Sequence, residues 1–187
     1  MKKSGLKIRI IGPGKMAEIL GRVMIAAGLC RPQDITLSKA RKERAAKLKR
    51  ALPGCRILSD NLRDLAEAAV IILAVKPQSF PAVASALKGR ISPKQLVVSI
   101  ITGVPLAEIC KALGTEIAVR CSTNIIAEIG LATTFWFGSK TLSPALRELA
   151  CRVMNSWGDL LPCDEESWLD VAIVGVGSGP ALVIEII

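Results

Sequence analysis

Apolar and polar positions change their period at regular intervals along the chain. Short apolar runs, the pattern of strands buried on both faces, alternate with stretches whose apolar residues recur at helical spacing. Leu6–Ile11 predicts a first strand and Met16–Leu29, closed by Gly28, a first helix. Ile35–Leu37 reads as a short strand, 40–52 as a helix stopped by Pro53 and Gly54, and Cys55–Leu58 as a weak strand. Asn61–Ala68 predicts a short helix and Val70–Val75 a fully buried strand. Helix Ser79–Lys88, strand Leu96–Ile101, helix Leu106–Leu113 and strand Glu116–Cys121 continue the alternation. Leu131–Phe137 and Asp159–Pro162 read as two more strands around a helix at Pro144–Trp157.

Such alternation with short connections predicts an α/β fold, a doubly wound, Rossmann-type and mostly parallel sheet. From Asp164 the pattern changes to helix over Glu165–Val174, then Gly-Val-Gly-Ser-Gly-Pro, then an apolar helix opening at Pro180. Residues 1–163 are therefore expected to form one domain and 164–187 to begin a second, helical one. The sequence stops inside an apolar stretch with no cap, which leads us to expect a part of a longer protein. Val171–Ile187 holds three glycines, a proline and Glu185 in 17 residues, short of the roughly 20 a membrane span needs.

Composition narrows the chemistry. Of 187 residues, 51% are hydrophobic and 22% charged, enough to build a core. Histidine is absent, which excludes a Ser-His-Asp triad, a Cys-His pair and any histidine metal site, and no metal is expected. Aromatics amount to 3% with no tyrosine, a poor platform for stacking nucleic-acid bases. Six cysteines lie at least eleven positions apart with no Cys-x-x-Cys, consistent with reduced, mostly buried thiols in a cytoplasmic protein. Of the net charge of +9, a local excess of +6 sits between Lys39 and Arg50. That concentration reads as one basic helix or one anion site, not as a diffuse nucleic-acid surface.

The sharpest motif is Ile11-Gly12-Pro13-Gly14-Lys15-Met16-Ala17, between the first strand and the first helix. Gly12 makes the tight turn, Gly14 lets a pyrophosphate approach the backbone, and Ala17 keeps helix and strand close. The helix start at Lys15 and Met16 offers free N–H groups to phosphate. An NAD site would place an acidic residue at the end of the second strand. Asp34 precedes that strand instead, and its end carries Ser38-Lys39-Ala40-Arg41, a hydroxyl and two cations suited to a 2′-phosphate. NADP(H) is therefore expected over NAD(H). Beyond Arg41, the cations Lys42 and Arg44 are expected to form a solvated helix face.

The motifs Ile-Gly-Pro-Gly-Lys-Met-Ala-Glu, Ser59-Asp60-Asn61, Ala74-Val75-Lys76-Pro77-Gln78, Val119-Arg120-Cys121-Ser122-Thr123-Asn124 and Gly177-Ser178-Gly179-Pro180-Ala181 occur in one order and spacing. Together they resemble the pyrroline-5-carboxylate reductase family, which makes the last step of proline biosynthesis. The resemblance implies an oxidoreductase in which Asn61 contacts the adenosine ribose. Ala74, Val75, Lys76 and Pro77 would line the nicotinamide end, with Thr102 and Gly103 beside them, and Thr123 and Asn124 would close the pocket. It also implies a small-molecule imine substrate held largely by a C-terminal helical domain that forms a homodimer or larger homo-oligomer. Gly177, Ser178 and Gly179 are candidates for its carboxylate. Reduction of a cyclic imine needs no protein nucleophile, so the lack of histidine is no obstacle. Ser122 replaces the family's methionine, Ile125-Ile126 its Thr-Pro, and Val176 its serine. These departures cluster on the substrate side, so a diverged NADP-binding oxidoreductase acting on another imine or keto substrate, or binding alone, stays open.

Overall fold

The computed structural model describes residues 5–38 and 42–178. Eight strands form one sheet: β1 (Ile8–Ile11), β2 (Ile35–Ser38), β3 (Arg56–Ile57), β4 (Val70–Leu73), β5 (Leu96–Ser99), β6 (Ala118–Ser122), β7 (Ala132–Gly138) and β8 (Gly158–Pro162). Their spatial order is β3-β2-β1-β4-β5-β6-β7-β8. The first six are mutually parallel, β7 runs antiparallel to β6, and β8 runs parallel to β7. Strands β1, β2, β4 and β5 are buried along their whole length, which their mostly apolar sequences suit.

Helices α1 (Lys15–Ala26), α2 (Lys42–Ala51) and α5 (Pro144–Asn155) contribute to the core on one face of the sheet, and α3 (Phe80–Leu87) and α4 (Leu106–Leu113) to that on the other. In β1 alternate side chains divide between the two: Ile8 and Ile10 join the first core and Ile11 the second. Arg9 shares the second face and is buried, its guanidinium donating to the Arg63 carbonyl.

Two elements differ from the sequence pattern. Asn61–Ala68 is not a helix. The Asp60 carboxylate accepts from the Leu62 and Arg63 amides, and Asp64 takes a left-handed φ of 58°, leaving only a 3₁₀ turn at Leu65–Glu67. The glycine segment after α6 (Ser167–Ala172) does not break the helix at Gly175; a π-type turn continues it from Ile173 to Ser178. Helix α6 lies against β6 and β7. Its position is held by Arg120 of β6, whose guanidinium donates to Glu166 at 2.8 Å and Asp170 at 2.5 Å.

Candidate functional site

The sheet order reverses between β1 and β4, because β2 and β3 lie on one side of β1 and β4 and β5 on the other. Doubly wound sheets open a crevice at the carboxyl ends of the strands at such a switch point. Here Gly12 leaves β1 at a φ of 116°, its N–H reaching the Ser38 carbonyl at 3.4 Å, while the Ala74 N–H donates to the Ile11 carbonyl at 2.8 Å. A Cβ on Gly12 would lie 2.4 Å from the Ala74 carbonyl oxygen. Glycine is thus demanded twice, by φ and by the approach of the β4 backbone.

Gly14 meets a different demand. Its φ of −71° and ψ of 176° suit any residue, and a Cβ there would meet nothing nearer than the Ala74 oxygen at 3.9 Å. What it leaves open is part of a crevice of about 690 Å³, within the range of small-molecule sites. Gly12, Pro13 and Gly14 line one side, Ala74, Val75 and Lys76 another, and Lys42, Ser59, Ser79 and Val83 complete it. Lys76, at φ −67° and ψ 148°, leads into a 3₁₀ turn opened by Pro77, so the strand exit is stiff and non-helical.

Two buried oxygens have no hydrogen-bond partner among the described residues: Ser38 Oγ at the end of β2, and Asn61 Oδ1 in the connection after β3. Buried polar atoms are nearly always satisfied, and both of these lie where the chain leaves the carboxyl ends of β2 and β3. Ribose hydroxyls would pair with such oxygens and the α1 N-terminus suits a phosphate, so the residues present fit a dinucleotide. Lys39 and Arg41 lie outside the described residues. Asp34 sits at the amino end of β2 with both carboxylate oxygens on Arg31, away from the crevice.

Arg44 corrects the expectation of a solvated cationic face. Its Nε donates to the Pro13 carbonyl at 2.6 Å, and one terminal nitrogen reaches the Gly14 carbonyl at 3.1 Å and Glu18 at 2.8 Å. Lys42 is exposed, as a solvated face requires, yet it also lines the crevice. The sequence reading passed over Ser79 and Val83 as well. Both lie at the start of α3, where residues four apart share a face, and that spacing is the signal that could have found them.

The nicotinamide-side candidates fall into two groups. Ala74, Val75 and Lys76 line the crevice itself. Thr102 lies instead in a small cleft with Arg120, Ser122, Thr123, Leu169 and Ile173. Gly103 turns the chain there at a φ of 71°. The Thr123 hydroxyl accepts from Thr134 at 3.0 Å, and Asn124 caps the 3₁₀ turn Ile125–Ile129 by accepting from the Ile126 amide at 3.0 Å. Gly177 and Ser178 close the π-type turn, and Gly179 lies outside the described residues.

Comparison with known proteins agrees with this geometry. A family model described as NADP oxidoreductase, coenzyme F420-dependent, matches residues 7–103, from β1 to the turn after β5. A pyrroline-5-carboxylate reductase of Methanosarcina acetivorans is 36% identical over 184 residues, covering 97% of this chain and 67% of that protein. The enzyme of the same name from Pseudomonas aeruginosa is 33% identical over 94% of this chain and 64% of its own length. A pyrroline-5-carboxylate reductase structure from Coxiella burnetii superposes with a TM-score of 0.88 at 29% identity, over 98% of this chain and 68% of that one. A Plasmodium falciparum pyrroline carboxylate reductase, solved with NADP bound, shares the fold at a TM-score of 0.84 and 21% identity, over 97% of this chain and 66% of that one. The chain spans about two thirds of the length of these relatives. At 36% identity over nearly its whole length to a relative of which it covers two thirds, this chain belongs to the pyrroline-5-carboxylate reductase family.

Proposed function

We propose that the chain is the coenzyme-binding portion of an NADPH-dependent reductase that converts 1-pyrroline-5-carboxylate to proline. The observation that carries this reading is the crevice between β1 and β4, shaped by Gly12 and Ala74 and bordered by the Gly14–Met16 turn. The names of the relatives supply the substrate. The bound dihydronicotinamide supplies a hydride when coenzyme is present.

The chain's own residues hold and orient. The Gly14, Lys15 and Met16 amides at the start of α1 bind the pyrophosphate, and Asn61 accepts from the adenosine ribose. Ser38, Lys39 and Arg41 bind the 2′-phosphate. Ala74, Val75, Lys76 and Pro77 flank the nicotinamide, with Thr102, Gly103, Thr123 and Asn124 at its far side. Gly177, Ser178 and Gly179, within a helical unit begun by residues 164–187, hold the substrate carboxylate. The exposed Trp168, Val171 and Val174, three residues apart on the α6 side of the molecule, favour a homodimer or larger homo-oligomer through these helices. Six free cysteines favour a cytoplasmic setting.

A second reading has its own support. Ser122 lines the cleft beside Thr102, and Ile125 at 66% exposure stands where the family carries a polar residue. A changed substrate side suits another imine or a keto compound. Oxidation of NADPH by pyrroline-5-carboxylate, inhibited by proline, supports the first reading. Oxidation with other cyclic imines or keto acids alone supports the second. The 2′-phosphate assignment has a separate test: Arg41→Glu is expected to weaken NADPH by about 1–3 kcal/mol more than NADH. Equal losses for the two coenzymes would overturn it.

A further inference from the structure

We infer that Arg44 is a positioning residue that aims the backbone N–H groups of the glycine turn at the pyrophosphate, an inference resting on the dinucleotide reading above. Within a peptide plane the carbonyl of one residue and the N–H of the next point in opposite directions. Arg44 Nε grips the Pro13 carbonyl at 2.6 Å, so the Gly14 N–H is turned away from α2. A terminal nitrogen of Arg44 grips the Gly14 carbonyl at 3.1 Å, which also accepts the first helical bond from Glu18 at 3.3 Å. That second plane turns the Lys15 N–H outward from the start of α1. Pro13 has no N–H to give, so Gly14 and Lys15 are the first donors the turn can offer. Both of their peptide planes are fixed by one guanidinium.

The same side chain is ill suited to bind phosphate directly. Its charge is already met by Glu18 at 2.8 Å, a carboxylate that is itself 13% exposed. Three donors in a planar fork suit it to hold two carbonyls and a carboxylate in a fixed relation, which a lysine ammonium on its flexible stem does not reproduce. Gly14 has no side chain to pack, and besides the Glu18 amide it is Arg44 that holds its carbonyl in place. Arg44 also ties α2, which begins next to the expected 2′-phosphate loop, to the pyrophosphate turn.

The experiment measures Kd for NADPH, NADH and 2′-AMP on the full chain and on Arg44→Met and Arg44→Lys. The wild-type chain is expected to bind NADPH. Both variants are expected to lose about tenfold in affinity for NADPH and for NADH alike, the loss of roughly one charge-assisted hydrogen bond. Binding of 2′-AMP, which lacks the pyrophosphate, is expected to stay within about twofold, which also reports a folded variant. Wild-type affinity in Arg44→Lys would make the charge alone sufficient and overturn the inference. So would a loss confined to NADPH, or a parallel loss of 2′-AMP, since either would place the effect on the ribose side. If the wild-type chain binds neither coenzyme, the dinucleotide reading falls and this inference with it. If it binds while Arg44→Met binds equally well, only the inference falls.

Discussion

Glu166 Oε1 accepts two bonds at once, from Arg120 at 2.8 Å and from the Leu106 amide at 2.7 Å. One carboxylate thereby caps α4 in place of Pro105, which cannot cap with its side chain, and anchors α6 to the sheet. Burial lowers the Arg120 pKa, but its hydrogen bonds to Glu166 and Asp170 raise it further, and the net shift is upward. The carboxylates thereby hold Arg120 in its charged form. Its side chain is only 4% exposed, so removing Glu166 takes a partner from a buried charge. Glu166→Ala, which also uncaps α4, is expected to cost roughly 3 kcal/mol, seen as a lower urea midpoint at an unchanged m value. A change below about 0.5 kcal/mol would show that water replaces the pair at no cost.

The two glycines of the turn should separate folding from binding. Gly12→Ala drives a methyl into the Ala74 carbonyl and forces alanine to a φ of 116°, and is expected to destabilise by more than about 2 kcal/mol. Gly14→Ala faces neither obstacle in the chain. Its melting temperature should stay within about 2 °C of wild type while NADPH binding weakens about tenfold or more. Unfolding of Gly14→Ala, or its normal NADPH affinity, would contradict the assignment of that space to the pyrophosphate.

The Arg31 guanidinium, bonding both carboxylate oxygens, holds the Asp34 pKa below the usual carboxylate value against the opposing effect of burial. A depressed folded pKa means stability that is present above the unfolded value, near 4, and lost as pH falls through the folded one. Asp34→Asn should therefore be less stable than wild type at pH 7, and the gap should close on acidification below about pH 4. Denaturant midpoints across pH 2.5–7 test this. A gap independent of pH would mean that the carboxylate charge plays no part.

Cys30 and Cys121 are buried, and burial pushes both thiols up to about 12. Cys55, half-buried, is pushed up to about 11 by the same cause. Since only thiolates react readily, alkylation of the folded chain at pH 8 should leave these three unmodified while they react in urea. Peptide mapping showing rapid labelling of Cys121 in the folded state would mean that β6 opens locally.

Much of this organisation is legible in the sequence, and the rest fails for identifiable reasons. The strands declare themselves because Val70–Leu73 and Leu96–Val98, flanked on both faces, are apolar at every position. The glycine turn is legible because Gly12 has no substitute. Arg9 is not, since a charged residue inside an apolar run reads as exposed until the Arg63 carbonyl and the loop carboxylates around it are seen. Arg44 is hidden for a similar reason. Among the basic residues of α2 its neighbours face solvent, and only the helix phase brings this one to the Pro13 and Gly14 carbonyls, thirty-one and thirty positions back. The segment 61–68 misleads because its composition suits a helix, while the side chain of Asp60 competes for the amides a helix would need.

The reversal at β7 decides where the chain travels afterwards. Because β7 turns back against β6 and β8 follows it, α6 crosses the sheet toward the carboxyl ends of β5 and β6, and Ile173 arrives in the cleft that holds Thr102 and Thr123. The heading of the turn from Ile173 to Ser178 is thus set by the rotational phase of α6, a helix pinned at Glu166 and Asp170. One residue inserted after Asp170 would swing the following chain by about 100° around the helix axis, whereas seven would return it to nearly the same bearing. An insertion in α6 is therefore limited by angle as much as by distance.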